Sequence, residues 1–332
     1  MPILENFDPA SVGTPLQPLF PQLYDALLRL SPQSQNAAAK ILKNRSIRFV
    51  LDTTTNYFVM GASAFGSSSG LNNQRFEVGL RAMERCWAAV FGYSVFFKWA
   101  SDRFNAGQKG QTVAEPSALN DASAALRWAF SSRHGPEDLP WPTDLPAPSR
   151  PHADADLIVR TNATATRVIG FILLHELGHF DRFHFEPDKR FESLHPWEKE
   201  YEADAWAFRL ETAELATNHE KANLATIPFA LAVLAGINHR EDDEHPSIAN
   251  RIRRFYFNHL DPLYNKANGS LFNTAQMAVS TPLLALLHVR GFNLSEFEAK
   301  KDLDVFLSWW EEEMNKLPDP EFSSGETSDL PA

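Results

Sequence analysis

The residues with the clearest chemical potential are His175, Glu176 and His179, which stand as His-Glu-Leu-Gly-His within the run Phe171 to Phe180. Residues four apart share one face of a helix, so the two imidazoles can offer nitrogens to a single metal ion. Glu176, one residue past the first imidazole, can reach water held at that ion and take its proton. This is the pattern of a zinc hydrolase site. Val168, Ile169, Phe171, Ile172, Leu173, Leu174 and Leu177 flank the motif and would bury it. Ionisable groups in such a helix are costly unless paired or bound to metal. A hydrogen-bonded histidine pair in an ordinary core is the competing reading. Gly178 costs a helix interior about 1 kcal/mol relative to Ala, so its presence implies that another segment comes close.

A catalytic zinc needs a third protein ligand and leaves a fourth position to water. Arg182 and Phe185 stand where a metzincin would need Gly and His. His184 lies five residues past His179 and is rotated off the ligand face. The segment Glu198 to Phe208 reads as a second helix, in which Glu200, Ala203, Asp204 and Ala207 form one stripe. The two alanines permit close helix approach. Glu200 is then the expected third ligand, and Asp204 the expected acceptor for the spare N–H of a ligand histidine. Glu202, with Glu198 and Lys199, is expected to face solvent. An exposed helix carboxylate is the alternative for Glu200.

His-Glu-x-x-His followed by Glu-x-x-x-Asp resembles the gluzincin metallopeptidases. Glu200 to Ala207 is similar to the second motif of the M48 family, which includes CAAX-type and heat-shock-type proteases. The segment His245-Pro-Ser-Ile-Ala-Asn-Arg251-Ile resembles a third motif of those enzymes. The resemblance implies that His245 stabilises an oxyanion and Arg251 supports the site. An ordinary helix start with Pro in its first turn also explains that segment. The implied architecture is a zincin-like catalytic core with an active-site helix and a third-ligand helix. In size, in its long helical region before the motif and in the Glu84 to Tyr93 stretch, the chain also resembles the Lit-type phage-exclusion peptidases (U49). That likeness implies cleavage of a translation elongation factor during phage infection. The repressor-cleaving ImmA/IrrE type is a further option, although its second motif usually ends in Asn where this chain has Asp204.

Acidic residues number 42 against 31 basic ones, a net charge of −11, which disfavours nucleic acid as a partner. The longest apolar runs noted are 86–97 and 224–237, shorter than the roughly 20 residues of a spanning helix, so no membrane insertion is expected. The single Cys86 permits no internal disulfide and fits a cytoplasmic location. Its apolar setting favours an inert thiol.

These residues need elements to position them. The expected fold is mainly α with a small β element (α+β). Residues 1–20 read as an extended arm, and 21–131 as a helical region with a short hairpin formed by Ile47–Asp52 and Asn56–Met60. Helices are expected over 22–30, 32–43, 73–99 and 117–130, with a Gly/Ser loop over 61–70. Prolines mark 132–152 as an irregular connector. Residues 153–317 hold the catalytic core and the C-terminal helices, expected over 222–238, 247–258, 274–289 and 295–316. The acidic tail 318–332 is expected to be disordered.

The function this implies is a zinc-dependent endopeptidase with one Zn2+ per chain and a protein or peptide substrate. Glu176 is the general base, and His175, His179 and Glu200 are the ligands. An extended strand beside the site, Asn56–Met60 or Leu157–Arg160, would hold the substrate backbone. The competing class is a zinc-stabilised binding or sensing module. It is disfavoured because structural zinc sites usually have four protein ligands, often Cys.

Overall fold

The computed structural model describes residues 14–19, 40, 48–52, 60–64, 74–107, 109, 117–131, 141–182, 195–212, 226–237, 245–262, 269–294 and 302–317. Among them the chain is mainly helical with one small sheet. The helices expected over 22–30 and 32–43 (Lys40 apart, which is helical), His184 and the acidic tail lie outside these residues.

The sheet is built from β1 (Arg48–Asp52), β2 (Met60–Ala64) and β3 (Gln74–Gly79), in the order β1-β3-β2. β3 runs parallel to β1, with Phe76 opposite Phe49, and antiparallel to β2, with Phe76 opposite Ala62. Of the expected hairpin, β1 matches the first strand, and Met60 of the second pairs with Val78 of β3 and not with β1; residues 56–59 lie outside the described residues. β2 takes residues assigned to the Gly/Ser loop, and the helix expected from Asn73 starts only at Leu80, after Gly79. Gln74-Arg-Phe-Glu-Val-Gly79 carries too few apolar residues to declare a strand locally, and pairing on both edges decides its state.

Helix α1 (Leu80–Gly107) is the spine of the fold, packed against α2 (Ala118–Phe130), α3 (Ala155–Asp181), α5 (Thr226–Ile237) and α7 (Gly269–Val289). α1 and α2 touch where Gly92 lies; a Cβ there would stand 2.5 Å from Leu126 Cγ and 3.0 Å from the Ala122 carbonyl. Trp87, fully buried, donates its indole N–H to Asn162 on α3 at 2.8 Å, and the Tyr93 hydroxyl donates to the Ala232 carbonyl on α5 at 3.0 Å. These two buried polar groups thus find partners on neighbouring helices, fixing α1 against the rest of the core. Cys86 is buried in this spine and burial pushes its thiol pKa up, which makes it unreactive.

Two segments read as irregular are tied down. Leu16 and Leu19 are buried, and Thr14 donates to the buried Glu84 carboxylate at 2.7 Å. In the connector, Arg150 Nη1 donates to the carbonyls of Pro142, Thr143 and Leu145, each at 2.8 Å. The connector delivers the chain to Asp154, whose carboxylate accepts from Leu157 N at 2.9 Å and starts α3. Leu157–Arg160, offered as a substrate-holding strand, is consequently helical. The rest of the fold comprises α4 (Pro196–Thr212), α6 (Ile248–Phe255), which continues as a π-helical turn over Tyr256–Leu260, and α8 (Leu303–Lys316).

α3 is long and apolar enough, by length and composition, to cross a membrane, but 67% of its most apolar window is buried inside the fold. It exceeds the apolar runs picked out in the sequence because polar residues such as Thr161 and Asn162 interrupt it without ending the helix. Its neighbours α1, α4 and α5 cover it, as they would the central helix of a core.

Candidate metal centre

α3 places His175 and His179 one turn apart and buried, at 3% and 8% exposure. Their Nε2 atoms lie 3.1 Å from each other. α4 lies against α3, and its stripe Glu200, Ala203, Asp204 and Ala207 is buried, as its spacing predicts. The approach is close because Gly178 has no side chain: a Cβ would stand 3.2 Å from Ala203 Cα and 3.3 Å from the Ala203 carbonyl oxygen. Glu200 thereby enters the corner made by the histidines, Oε2 at 3.3 Å from His175 Nε2 and Oε1 at 3.3 Å from His179 Nε2.

Among the described residues, His175, His179 and Glu200 are the one group of His, Cys, Asp or Glu positioned to hold a metal ion. Ligand atoms about 2.0–2.2 Å from a tetrahedral zinc stand about 3.3–3.5 Å from one another. The two imidazole nitrogens stand 3.1 Å apart and each meets a different oxygen of Glu200 at 3.3 Å, with one ligand atom from each residue within 4.8 Å of the others, so the three side chains can converge on such an ion. Glu176 is partly exposed, with Oε1 3.9 Å from His175 Nε2, at the edge of the same corner.

Asp204 and Arg251 support this corner. Asp204 Oδ1 lies 3.0 Å from His175 Nδ1, which assigns the Nδ1 proton to that bond and leaves Nε2 for a metal. Arg251 donates from Nε to Asp204 Oδ2 at 2.7 Å and from Nη2 to Oδ1 at 2.8 Å. Its Nη1 lies 3.2 Å from Glu200 Oε2. Arg251 is presented by α6, whose start is capped by Ser247 accepting from Asn250 N at 3.3 Å.

Burial opposes charge on every member, and the neighbours decide the outcome. For Glu200, burial would raise the pKa, but Arg251 and the two histidines hold it well below the usual carboxylate range. Burial likewise opposes ionised Asp204, and Arg251 followed by His175 overrides it. Burial and Arg251 depress His175, whereas Asp204 and Glu200 raise it further, to about 9. Without metal the corner therefore holds a proton that a metal ion would displace.

The remaining sequence candidates separate. His245 is solvent-exposed at the approach to α6. Glu202, expected to face solvent, is instead half-buried off the ligand stripe and lines a cavity of about 230 Å³ between α4 and α6 with Asp204, Arg251, Arg254 and His259. Glu198 accepts from Arg254 at 2.7 and 2.8 Å, so it is paired and not simply solvated. Trp206, whose indole donates to Asp181 Oδ2 at 2.8 Å, was not singled out as a site residue in the sequence. Its signal was Asp181 itself, an acid placed at the unfavourable end of a helix dipole.

A protein-family model described as Peptidase U49 matches residues 77–261, a span that contains every side chain of the corner and its support. No curated protein and no solved structure matches the chain.

Proposed function

The chain belongs to the Peptidase U49 family, and from that membership we propose that it is a zinc-dependent endopeptidase acting on a cytoplasmic protein. One observation carries this reading: a buried His-His-Glu corner whose ligand atoms converge, with a second, partly exposed carboxylate at its edge. Zinc held by His175, His179 and Glu200 would supply Lewis acidity, making water nucleophilic near neutral pH and polarising a peptide carbonyl. Glu176 takes the proton from the attacking water and delivers it to the leaving amine. Its partial exposure suits that task, because substrate and water must reach it. Asp204 keeps the His175 proton on Nδ1, and Arg251 offsets the two buried carboxylates so that both remain ionised.

His245 is assigned to the oxyanion through the sequence motif, and its exposed position at the head of α6 leaves it accessible to substrate. β2 is an edge strand of the sheet and packs on α3. Among the described strands its outer edge is unpaired, and it is suited to hold an extended peptide by added-strand pairing. Of the two strand candidates of the sequence, Leu157–Arg160 is helical, whereas Met60 of Asn56–Met60 lies in β2 and residues 56–59 lie outside the described residues. The zincin-like architecture and a role in phage exclusion, by cleavage of a translation factor, belong to the same proposal and are supported by the resemblance to Lit-type peptidases.

Glu176→Gln tests the mechanism. The variant should keep its zinc and lose proteolysis, and comparing the proteomes of cells expressing it and the parent protein identifies the substrate. Equal cleavage by both proteins would refute the assignment. If neither cleaves any protein while both bind zinc, the zinc-stabilised binding module becomes the better account.

A further inference from the structure

α3 and α4 meet along a seam of rungs in constant step. His175 faces Glu200, with 3.3 Å between Nε2 and Oε2. Three residues on, Gly178 faces Ala203 at near-contact distance. Three residues further, Trp206 Nε1 donates to Asp181 Oδ2 at 2.8 Å, across 25 residues of sequence. The first two rungs share that separation, so the helices run in the same direction past one another here.

The first two rungs do not define the step uniquely. Sliding α4 by four residues would bring Asp204 to the place of Glu200 and Ala207 to the place of Ala203. His175 would again meet a carboxylate and Gly178 again an alanine. Off the seam, the slide would put Phe208 where Asp204 stands, so Arg251 and His175 Nδ1 would lose that carboxylate, and it would part Glu198 from Arg254. On the seam itself the third rung discriminates, because the slide would replace Trp206 with Leu210, which has no donor. Asp181 is also the last residue of α3, where a carboxylate meets the negative end of the helix dipole and is disfavoured unless it is used.

We propose that Trp206 and Asp181 are positioning residues that lock the seam between α3 and α4 at its far end, as Asp204 and Arg251 do beside the corner, and so hold Glu200 against His175 and His179. The consequence for zinc rests on the metal-centre reading above, while the register itself does not.

The test uses metal-free and zinc-loaded full-length protein. Spin labels at Val159 and Arg209, both exposed, report the register by pulsed EPR; the native Cys86 is buried and stays unlabelled. Zinc affinity is read by competition with a chromophoric chelator. The parent protein gives one distance. Trp206→Phe, which keeps a ring but loses the donor, gives a broadened or displaced distance as the end of α4 loosens from α3. Its zinc affinity falls about 10-fold or more, the scale of losing a supporting partner. Asp181→Ala does the same and serves if Trp206→Phe does not fold. Asp181→Asn, whose amide oxygen still accepts, behaves as the parent. One unchanged distance in both Trp206→Phe and Asp181→Ala overturns the lock. Broadened or displaced distances in variants of a parent that binds no zinc overturn the metal reading and leave the lock standing.

Discussion

Asp204 is held by Arg251 through two bonds, 2.7 Å from Nε to Oδ2 and 2.8 Å from Nη2 to Oδ1, while the same Oδ1 meets His175 Nδ1 at 3.0 Å. One carboxylate therefore serves both as the counter-charge of a buried guanidinium and as the orienting partner of a ligand histidine. Loss of the first role is felt in stability, and loss of the second in metal affinity.

Asp204→Ala should show both effects. Metal affinity falls about 10–100-fold with loss of the histidine's partner. Unfolding free energy falls by about 3–5 kcal/mol, because Arg251 is left buried without its main counter-charge. Asp204→Ala combined with Arg251→Met should recover part of that stability without recovering affinity. Denaturant unfolding and chelator competition on the single and double variants measure the two losses separately, and a stable Asp204→Ala protein with parental affinity would refute the dual role.

Glu200 and Glu202 should behave oppositely. Glu200→Ala removes a side chain from the corner and should abolish stoichiometric zinc and proteolysis, whereas Glu202→Ala, off the stripe that meets the histidines, should leave both within about twofold because changes away from the key contacts are usually small. Elemental analysis of the two variants decides the matter.

Gly178→Ala pits helix propensity against contact. Alanine gains up to about 1 kcal/mol in a helix interior, but the new methyl meets Ala203 backbone, 3.2 Å from Cα and 3.3 Å from the carbonyl oxygen. Overpacking of this kind costs about 1–3 kcal/mol, so net stability should fall by about 0–2 kcal/mol. The displacement of α4 should weaken zinc binding by about 10-fold or more. A parental zinc affinity would mean that the helix spacing is not what sets the ligand geometry.

Metal removal should destabilise the protein. Zinc at a thousandfold over its dissociation constant contributes about 4 kcal/mol if it binds only the folded chain. Chelation should lower the unfolding temperature, and added zinc should restore it. His179→Ala should be insensitive to the chelator in the same thermal scans.

Local periodicity made the inner face of α4 legible, since a 3.6-residue repeat separates Glu200 and Asp204 from Glu202 without knowledge of the partner helix. Gly178 likewise announced a close neighbour before Ala203 could be named. Arg251 entered through a motif resemblance; its fork on Asp204 spans 47 residues and has no local signature. The sheet resisted for a related reason. β3 is placed by two neighbours at once, one parallel and one antiparallel, and a hairpin rule looks only at adjacent segments. The Trp206–Asp181 rung was visible in principle as a matched offset, but an offset has meaning only once the two helices are known to run in the same direction.

The position of Arg251 in the chain bears on when the corner can close as the protein is made. A ribosome delivers His175, Glu200 and Asp204 first and the guanidinium last, 76 residues after His175. Until α6 has emerged, dehydrating the two carboxylates against α3 is opposed by their uncompensated charge. The nascent chain thus carries every ligand of the centre yet lacks the cation that lets it close.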